Sequence, residues 1–403
     1  MLTRSERPLN DAERENLTRR MAAARAESGK ALIKSDGGRG DRLRCSRPLY
    51  AAGVGCAGVR HHRIPAVTTG ATCNVVKRRT RTVHSMRIAI VRLAAVCALL
   101  ALISAPAAEQ NPNRRVAFTI DDLPTVSVLG DDLARARRTT DGLLAALRRQ
   151  KIPAIGFVNE SKLGPAVKPH SDRVALLQQW IDTGLELGNH TFSHVDLHRV
   201  TPETFEAEIA KGEIVTRRLL ESTGRQLTFF RHPFLHTGTS PETRKHVRAF
   251  LDAHRYVVAP VTIDNYDYIF AAAYDRTVAR GDAANTRRIE DAYMDYMLSV
   301  VAFYEEQSRL IVGREIAQTL LLHAHALNAA TLDRLADALR TRGYRFITLR
   351  EALEDPAYSL RDEYYGPAGI TWLHRWALTE GKRGIFAGEP VVPEWIEKAA
   401  QGR

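Results

Sequence analysis

Cysteine is scarce in this 403-residue chain and is absent from most of it. The four cysteines, Cys45, Cys56, Cys73 and Cys97, all lie before residue 98. The rest of the chain therefore contains neither a disulfide nor a thiolate metal site. Burial of apolar side chains must hold that part together, and it is long enough to bury a sizeable core.

The long carboxy-terminal part of the chain also lacks a net charge of either sign. The whole sequence carries a formal charge of +12, but residues 1–85 hold 18 Lys and Arg against 7 Asp and Glu. Residues 109–403 hold 38 against 39. A nucleic-acid-binding surface would leave an excess of basic residues in this part. We therefore expect no nucleic-acid partner.

The sequence lacks an apolar run of the roughly 20 residues that a membrane-spanning helix needs. The run Leu93–Ile103 is shorter; Arg87 and Arg92 precede it, and the small residues of Ala105-Pro-Ala107 follow it. This pattern is typical of a secretory signal peptide rather than of a buried helix. We predict a signal peptide at residues 86–107, a periplasmic or secreted protein, and no stable membrane span.

Eighty-five residues precede the predicted signal peptide, although such a peptide acts at the amino terminus. They are rich in Arg and show no sustained hydrophobic period. We interpret residues 1–85 as an over-long start assignment, with translation beginning at Met86, or as a disordered basic arm. Amino-terminal sequencing of the natural protein would separate the two, because a peptide from residues 1–80 excludes the start at Met86.

From Val116 onward, short apolar runs alternate with amphipathic stretches. The patterns predict strands at 116–120, 154–158, 185–191, 227–231, 256–263, 319–323 and 344–349, and helices at 131–150, 173–183, 201–222, 241–253, 286–307 and 330–341. This alternation is typical of βαβ units and a parallel sheet. No linker interrupts it, so we predict one α/β domain over residues 108–403, with an aromatic tail from about residue 355.

Ionisable residues lie at or just beyond the carboxyl ends of five of the predicted strands. They are Asp121, Asp122, His190, Arg231, Asp264 and His323. In a (β/α) barrel these ends converge on one face, and active sites lie on that face. We therefore expect these side chains to share a site.

His190 and His194 are four residues apart, so a helical turn would place both rings on one face. The pair alone is equally typical of two surface histidines. Asp122 adds an oxygen ligand from another strand, and two histidines with one carboxylate suit a hydrolytic divalent metal ion. We expect one ion, Zn, with Co or Ni as alternatives. We interpret His198 as a surface histidine or one that supports the ligands.

Asp121 directly precedes Asp122, and adjacent carboxylates repel each other unless a cation neutralises one of them. Two solvated acids at the end of a strand would be the simplest explanation. A metal ion on Asp122 would instead leave Asp121 ionised and able to act as a base.

These residues occur in segments that resemble the five motifs of the polysaccharide deacetylase family, also called carbohydrate esterase family four or the NodB-homology group. The segments are Thr119-Ile-Asp121-Asp122-Leu-Pro124, His190-Thr-Phe-Ser-His194, Arg231-His-Pro233-Phe234, Asp264-Asn-Tyr-Asp267-Tyr268 and Leu321-Leu-His323. All five occur in the family's order, and the resemblance covers about residues 112–355.

The resemblance implies a distorted (β/α) barrel of about seven parallel strands and a set of catalytic roles. Asp121 would be the general base, positioned by Arg231. His323 would be the general acid, oriented by Asp267. The metal ligands would be Asp122, His190 and His194.

The resemblance also implies a substrate pocket. The backbone N–H of Phe234 would donate to the oxyanion, and Leu321 and Tyr268 would shape the acetyl pocket. Leu123 replaces the usual glycine, so we expect it to narrow the space beside the metal and to exclude acyl groups longer than acetyl. His325 stands where the family often has an acid.

The implied function is that of a metal-dependent hydrolase that removes N- or O-linked acetyl groups from a carbohydrate. For N-linked groups it would act on carbon–nitrogen bonds other than peptide bonds. Its partner would be an acetylated glycan. Two alternatives stay open: a hydrolase of small cyclic amides, and a carbohydrate-binding protein without catalysis. Metal-free hydrolases of small cyclic amides lack a complete ligand set, whereas this chain has one. A binding protein without catalysis predicts the loss of Asp121 or His323, and both residues are present. The tail tryptophans, Trp372, Trp376 and Trp395, would either pack on the barrel or stack on sugar.

Overall fold

The structure, a computed structural model, describes residues 114–402. The predicted amino-terminal extension, residues 1–85, and the predicted signal peptide, residues 86–107, lie outside the described residues. Among the helices of the described part, none is both long enough and apolar enough to cross a membrane.

A sheet of seven strands, all parallel, forms the centre of residues 114–402. The strands are β1 (Arg114–Leu123), β2 (Ile155–Val158), β3 (Glu186–Asn189), β4 (Phe229–Phe230), β5 (Val257–Val258), β6 (Gln318–His323) and β7 (Tyr344–Phe346). Their order is β5-β4-β3-β2-β1-β6, and β7 pairs with the amino-terminal end of β1. A bridge between Ile263 and Leu320 brings the segment after β5 against β6. The predicted fold class, a distorted (β/α) barrel, is confirmed.

Most residues of the strands are buried, as in other parallel sheets that are covered on both faces. Residues 116–121 of β1 are all buried. A small cluster shares one face of the sheet: Ala117, Ile155, Phe157, Phe229, Ala259 and Ala317. A larger core lies between the sheet and the helices, and each of its buried large side chains contributes about 1.5–3 kcal/mol.

The register between β1 and β6 places two predicted catalytic residues side by side. Asp121 is the register partner of His323, and Ala324 donates its backbone N–H to the Asp121 carbonyl at 2.9 Å. The backbone ladder therefore fixes the spacing of these two positions.

Eleven α-helices surround the sheet in the described chain. They are α1 (Leu133–Arg149), α2 (Ser171–Asp182), α3 (Pro202–Lys211), α4 (Ile214–Glu221), α5 (Pro241–Ala253), α6 (Asp267–Ala279), α7 (Ala283–Val312), α8 (Ala326–Thr341), α9 (Leu349–Leu353), α10 (Trp372–Thr379) and α11 (Glu394–Ala400). Three short 3-10 helices lie at Glu160–Leu163, Pro233–Leu235 and Pro356–Ser359.

Several elements differ from the predictions, which also lack α9, α10 and α11. The helix predicted at 201–222 is divided between α3 and α4 at Gly212, where a Cβ would collide with the backbone of Thr191 and Phe192. The strand predicted at 256–263 shrinks to β5 and the bridge at Ile263. Helix α6 was not predicted, because it buries residues between neighbouring helices and has no clear polar face.

The carboxy-terminal tail, residues 355–402, carries α10 and α11. Trp376 is 1% exposed and belongs to the main core, and Trp395 lies 4.2 Å from the Arg288 guanidinium. Trp372 packs on a small cluster that contains Leu235 and Leu321.

Candidate active site

A cavity of about 130 Å³ lies at the carboxyl ends of the strands. It is lined by Asp121, Asp122, Val126, His190, His194, His232, Phe234, Leu235, Asp264, Asn265, Tyr268, Leu321 and His323. All the predicted site residues line it except Arg231 and Asp267, which are fully buried and contact lining residues. The five sequence motifs therefore meet in one place.

The predicted metal ligands are close enough to share one ion. One potential ligand atom from each of Asp122, His190 and His194 lies within 4.8 Å of the others. His190 Nδ1 lies 2.8 Å from the Arg231 carbonyl oxygen. Because a carbonyl can only accept, Nδ1 carries the hydrogen and Nε2 keeps the lone pair that a metal needs. The donor set fits a divalent ion with open positions.

A loop joins the two histidines, so the prediction of a helical turn was wrong. Thr191 and His194 have left-handed backbones, with φ of 63° and 58°. Glu208 of α3 holds the loop, since its carboxylate accepts from the Ser193 backbone N–H at 2.8 Å and from the Ser193 hydroxyl at 2.6 Å. The close approach of Gly212 leaves this loop no room to move toward α3.

Backbone strain is concentrated at the cavity. Seven non-glycine residues of the described chain have a positive φ. Four of them line the cavity, namely Asp122, His194, Phe234 and Leu235, and Thr191 directly follows the lining residue His190. Each such conformation costs on the order of 1–3 kcal/mol and persists only where its surroundings enforce it. Strain of this kind is typical of functional sites.

Asp121 is a buried carboxylate beside a buried cation. Its Oδ2 lies 3.6 Å from an Arg231 nitrogen and 3.7 Å from His190 Nε2. Its Oδ1 has no hydrogen-bond partner among the described residues. Burial raises the pKa of Asp121 to about 6, although Arg231 and His323 oppose the rise. A carboxylate with this pKa can exchange a proton near neutral pH.

Arg231 is held in place from several directions. Its guanidinium donates to the Thr119 hydroxyl at 2.8 Å and lies 4.8 Å from the centre of the Phe157 ring. Burial lowers the pKa of Arg231, and the Asp121 carboxylate opposes this. The position behind Asp121 agrees with the positioning role that the family resemblance implies.

His323 and Asp267 form a buried pair. His323 Nδ1 lies 2.7 Å from one Asp267 oxygen, and the His323 backbone N–H donates to the other at 2.8 Å. Burial alone would lower the pKa of His323, but the Asp267 carboxylate raises it to about 10. The same pairing holds the pKa of Asp267 below its usual range despite burial.

His325 and Asn328 complete the surroundings of Asp267. Asn328 donates its side-chain amide to Asp267 at 2.9 Å, and His325 Nε2 lies 3.1 Å from the same oxygen. His325 Nδ1 accepts from the Asn328 backbone N–H at 3.1 Å, so Nε2 carries the hydrogen of a neutral ring. His325 therefore donates a hydrogen bond to Asp267. An acidic side chain at position 325 would instead repel the Asp267 carboxylate.

One side of the cavity is apolar. Leu235 and Leu321 pack together, and the Tyr268 ring lies edge-on to His323 with centroids 6.1 Å apart. The expectation that Leu123 narrows the pocket was wrong, because its side chain is fully buried and packs against Gly156. Leu321 and Tyr268 line the cavity as predicted.

The sequence reasoning missed Lys162, which lies beside the metal ligands. Its ammonium donates to the Asp122 carbonyl at 2.8 Å and is 3.4 Å from the Asp122 carboxylate. Burial would raise the pKa of Asp122, but Lys162 and His194 lower it well below its usual range. Lys162 lies in the 3-10 helix that follows β2, so the rule applied to the other strand ends would have found it.

Asp196, His198 and His236 form a second group of potential ligands near the first. His236 Nδ1 lies 2.6 Å from the Asp196 carboxylate, and His198 Nε2 accepts from the Gly238 backbone. The two imidazoles are stacked, with centroids 3.8 Å apart and planes 6° from parallel. Stacked rings cannot both aim an in-plane lone pair at one ion, so this group is a hydrogen-bonded support.

Residues 108–250 match the family model for polysaccharide deacetylase. The match contains the first three motifs and ends before Asp264 and His323. The resemblance to this family is thereby confirmed for that part of the chain. No curated protein matches the sequence.

Several solved structures are similar to this chain. A family 4 carbohydrate esterase from Streptomyces lividans in complex with acetate is 18% identical, with a TM-score of 0.38, over 60% of this chain and 96% of that one. The peptidoglycan deacetylase PdaC from Bacillus subtilis is 21% identical, with a TM-score of 0.37, over 60% and 92%. A pseudoenzyme of the same esterase family from Bacillus anthracis is 18% identical, with a TM-score of 0.39, over 60% and 66%.

Proposed function

We propose that this protein is a metal-dependent hydrolase that removes N- or O-linked acetyl groups from a carbohydrate. The observation that carries the proposal is the convergence of three groups on one small cavity: the three potential metal ligands, the Asp121 carboxylate and the His323–Asp267 pair. A hydrolase of this kind needs a Lewis acid, a base and an acid within reach of one carbonyl.

Asp122, His190 and His194 would hold the ion, which we propose to be Zn, with Co or Ni as alternatives. When bound, the ion would polarise the scissile carbonyl and lower the pKa of water. The protein prepares this site by fixing the His190 tautomer through the Arg231 carbonyl and by fixing the His194 loop through Glu208.

The remaining groups divide the proton transfers. Asp121 would take the proton of the attacking water as oxygen adds to the acetyl carbon. His323 would give a proton to the nitrogen or oxygen that leaves, so that acetate and a free amine or alcohol are the products. The Phe234 backbone N–H would donate to the oxyanion. Arg231 and Asp267 do not line the cavity and would hold the base and the acid in place.

The substrate class follows from the cavity and from the charge of the chain. A volume of about 130 Å³ with one apolar side suits an acetyl group better than a long acyl chain. The near-neutral composition of residues 109–403 favours a neutral glycan. The signal peptide proposed at residues 86–107 would deliver the enzyme to the periplasm or beyond, so we propose oligomers of N-acetylglucosamine or acetylated xylan-type chains.

Acetate release is the test. The protein would be assayed with Zn²⁺ or Co²⁺ on N-acetylated oligosaccharides, acetylated xylan and a small cyclic amide. We expect acetate from at least one glycan, and a loss of several orders of magnitude in Asp121→Asn, because an amide cannot accept the water's proton.

The other outcomes separate the alternatives. Turnover of the cyclic amide without acetate from any glycan would replace the proposal with the small-amide hydrolase. Glycan binding without turnover on any substrate would indicate a carbohydrate-binding protein.

A further inference from the structure

The turn after β4 carries the backbone that the proposed function uses for the oxyanion. Phe234 and Leu235 are consecutive non-glycine residues with φ of 57° and 55°. Within the turn, Leu235 donates to the His232 carbonyl at 3.2 Å and His236 donates to the Pro233 carbonyl at 3.1 Å. Two adjacent left-handed residues are costly, so contacts from outside the turn must enforce them.

Those contacts come from the carboxy-terminal tail. Arg375 of α10 is 1% exposed, and its guanidinium donates to the Leu235 carbonyl at 3.4 Å and to the Thr237 hydroxyl. Its third contact is the Asp362 carboxylate, at 2.8 Å from Nε. One buried guanidinium thus joins the turn to the tail by a planar set of donors that lysine cannot reproduce.

The tail backbone also touches the turn directly. Gly369 approaches so closely that a Cβ there would collide with the carbonyl oxygen of Phe234. The φ of Gly369 is not in the left-handed region, so the requirement for glycine is one of space alone. Two residues later Thr371 caps α10, which begins at Trp372.

Trp372 fixes the tail to the wall of the cavity. Its backbone N–H donates to the Val261 carbonyl at 2.8 Å, and its ring packs on the cluster of Leu235, Val261 and Leu321. Arg244 of α5 ties the same tail segment from the other side, donating to the Asp362 carbonyl at 2.8 Å. The segment 362–375 is therefore attached to the turn, to the wall and to α5.

We propose that the tail segment 362–375 is the positioning element for the oxyanion donor: Gly369 and Arg375 hold the strained Phe234–Leu235 turn so that the Phe234 N–H points into the cavity. The proposal rests on the proposed function. Gly369 and Arg375 do not line the cavity. They contact the carbonyls of Phe234 and Leu235, and through these they set the direction of the preceding peptide group, which carries the Phe234 N–H. A misplacement of about 1 Å in such a group can cost about 100-fold in rate.

Two variants of the full chain test the proposal. Gly369→Ala adds one methyl group against the Phe234 carbonyl, and Arg375→Lys keeps the charge but loses the planar donors. Arg361→Lys is the matched control, because Arg361 directly precedes the segment, is exposed and forms an ion pair with Glu363 rather than with the turn.

Steady-state kinetics on an acetylated substrate give the first measurement. We expect kcat to fall about tenfold to 100-fold in both variants, with KM and bound metal unchanged, because the donor acts on the transition state. A methylphosphonate analogue of the tetrahedral state should bind more weakly by the same factor. An unchanged kcat beside a lower melting temperature, or a raised KM at constant kcat, would overturn the proposal.

Hydrogen–deuterium exchange gives a measurement that does not need activity. Amides of residues 232–238 should exchange faster in Gly369→Ala and Arg375→Lys than in wild type or Arg361→Lys. Equal exchange in all four proteins would overturn the proposal, whatever their activity. A wild type that releases no acetate would instead contradict the proposed function, while the exchange data would still decide whether the tail holds the turn.

Discussion

At the scale of single residues, the site separates groups that would hold a metal from groups that would move protons. Asp121 and Asp122 are neighbours in sequence, yet burial raises the pKa of the first to about 6 while Lys162 and His194 hold that of the second far lower. Side chains along a strand point alternately to its two faces, and the positive φ of Asp122 breaks this alternation at the end of β1. Asp122 could therefore hold a metal ion while the adjacent Asp121 accepts a proton.

The assignment of the metal ligands predicts which variants lose the bound ion and which keep it. Asp122→Ala, His190→Ala and His194→Ala should each lose the bound ion, because each removes one of three protein ligands. Elemental analysis of purified proteins would measure this. His198→Ala is the control and should keep its metal, since the His198 ring stacks on His236 outside the ligand set. Equal metal in all variants would contradict the assignment.

The His323–Asp267 pair predicts a shift in pH dependence. His323 donates its proton only when protonated, and Asp267 raises its pKa from 6.5 to about 10. Activity should therefore persist into alkaline pH and decline near 10. In Asp267→Asn the decline should move down toward the ordinary histidine range, because the carboxylate that favours the charged ring is gone.

A pH profile of kcat in both proteins would measure the shift. Asp275→Asn offers a matched control, because Asp275 is a buried carboxylate on the same helix that accepts from Ser127. In Asp275→Asn, kcat should decline at the same alkaline pH as in wild type. An unchanged decline in Asp267→Asn would mean that another group sets it.

At the scale of elements, the ligand loop depends on α3. Glu208→Ala removes the carboxylate that holds Ser193, so we expect metal affinity to fall about tenfold, as for other residues that orient ligands. Titration with Zn²⁺ against a competing chelator would measure it. Glu203→Ala on the same helix is exposed and should bind normally. Equal Zn²⁺ affinities in wild type and Glu208→Ala would show that the loop keeps its conformation without Glu208.

The cavity wall predicts acyl specificity. The packing of Leu235 and Leu321 leaves little room beyond an acetyl group, so chromogenic acetyl esters should be preferred over butyryl esters by at least about tenfold. Leu321→Ala should lower the ratio of the acetyl rate to the butyryl rate. Leu123→Ala should leave it unchanged and cost about 2–5 kcal/mol of stability, because Leu123 packs in the core instead. Equal rates for both esters in wild type would rule out the narrow cavity.

The elements also show how far sequence reasoning reaches. Strand–helix alternation predicts the parallel sheet, and the family resemblance implies the barrel. The polar residues at strand ends predict the cavity, because parallel strands share one carboxyl edge. The ligand loop, the division at Gly212 and the turn at Phe234 could not be predicted, since each depends on a close contact with a segment distant in sequence. Periodicity also fails for α6, which is buried on several sides.

At the scale of the whole molecule, the tail is the part that neither pattern nor resemblance describes. The sequence allowed a wrap on the barrel or a sugar-stacking role, and no tail residue lines the candidate cavity. Trp376 lies in the core, and Arg375 reaches the turn after β4. The tail could not be predicted because its contacts join residues more than a hundred positions apart.

The register between β1 and β6 has a consequence for heating. Asp121 and His323 sit opposite each other on two adjacent, paired strands, so no local fraying of a loop can pull the base away from the acid. Their separation requires the opening of the central ladder, which belongs to the most stable part of a fold. Heat should therefore separate Asp121 from His323 only as the barrel melts, and cooling that restores the barrel should restore their spacing.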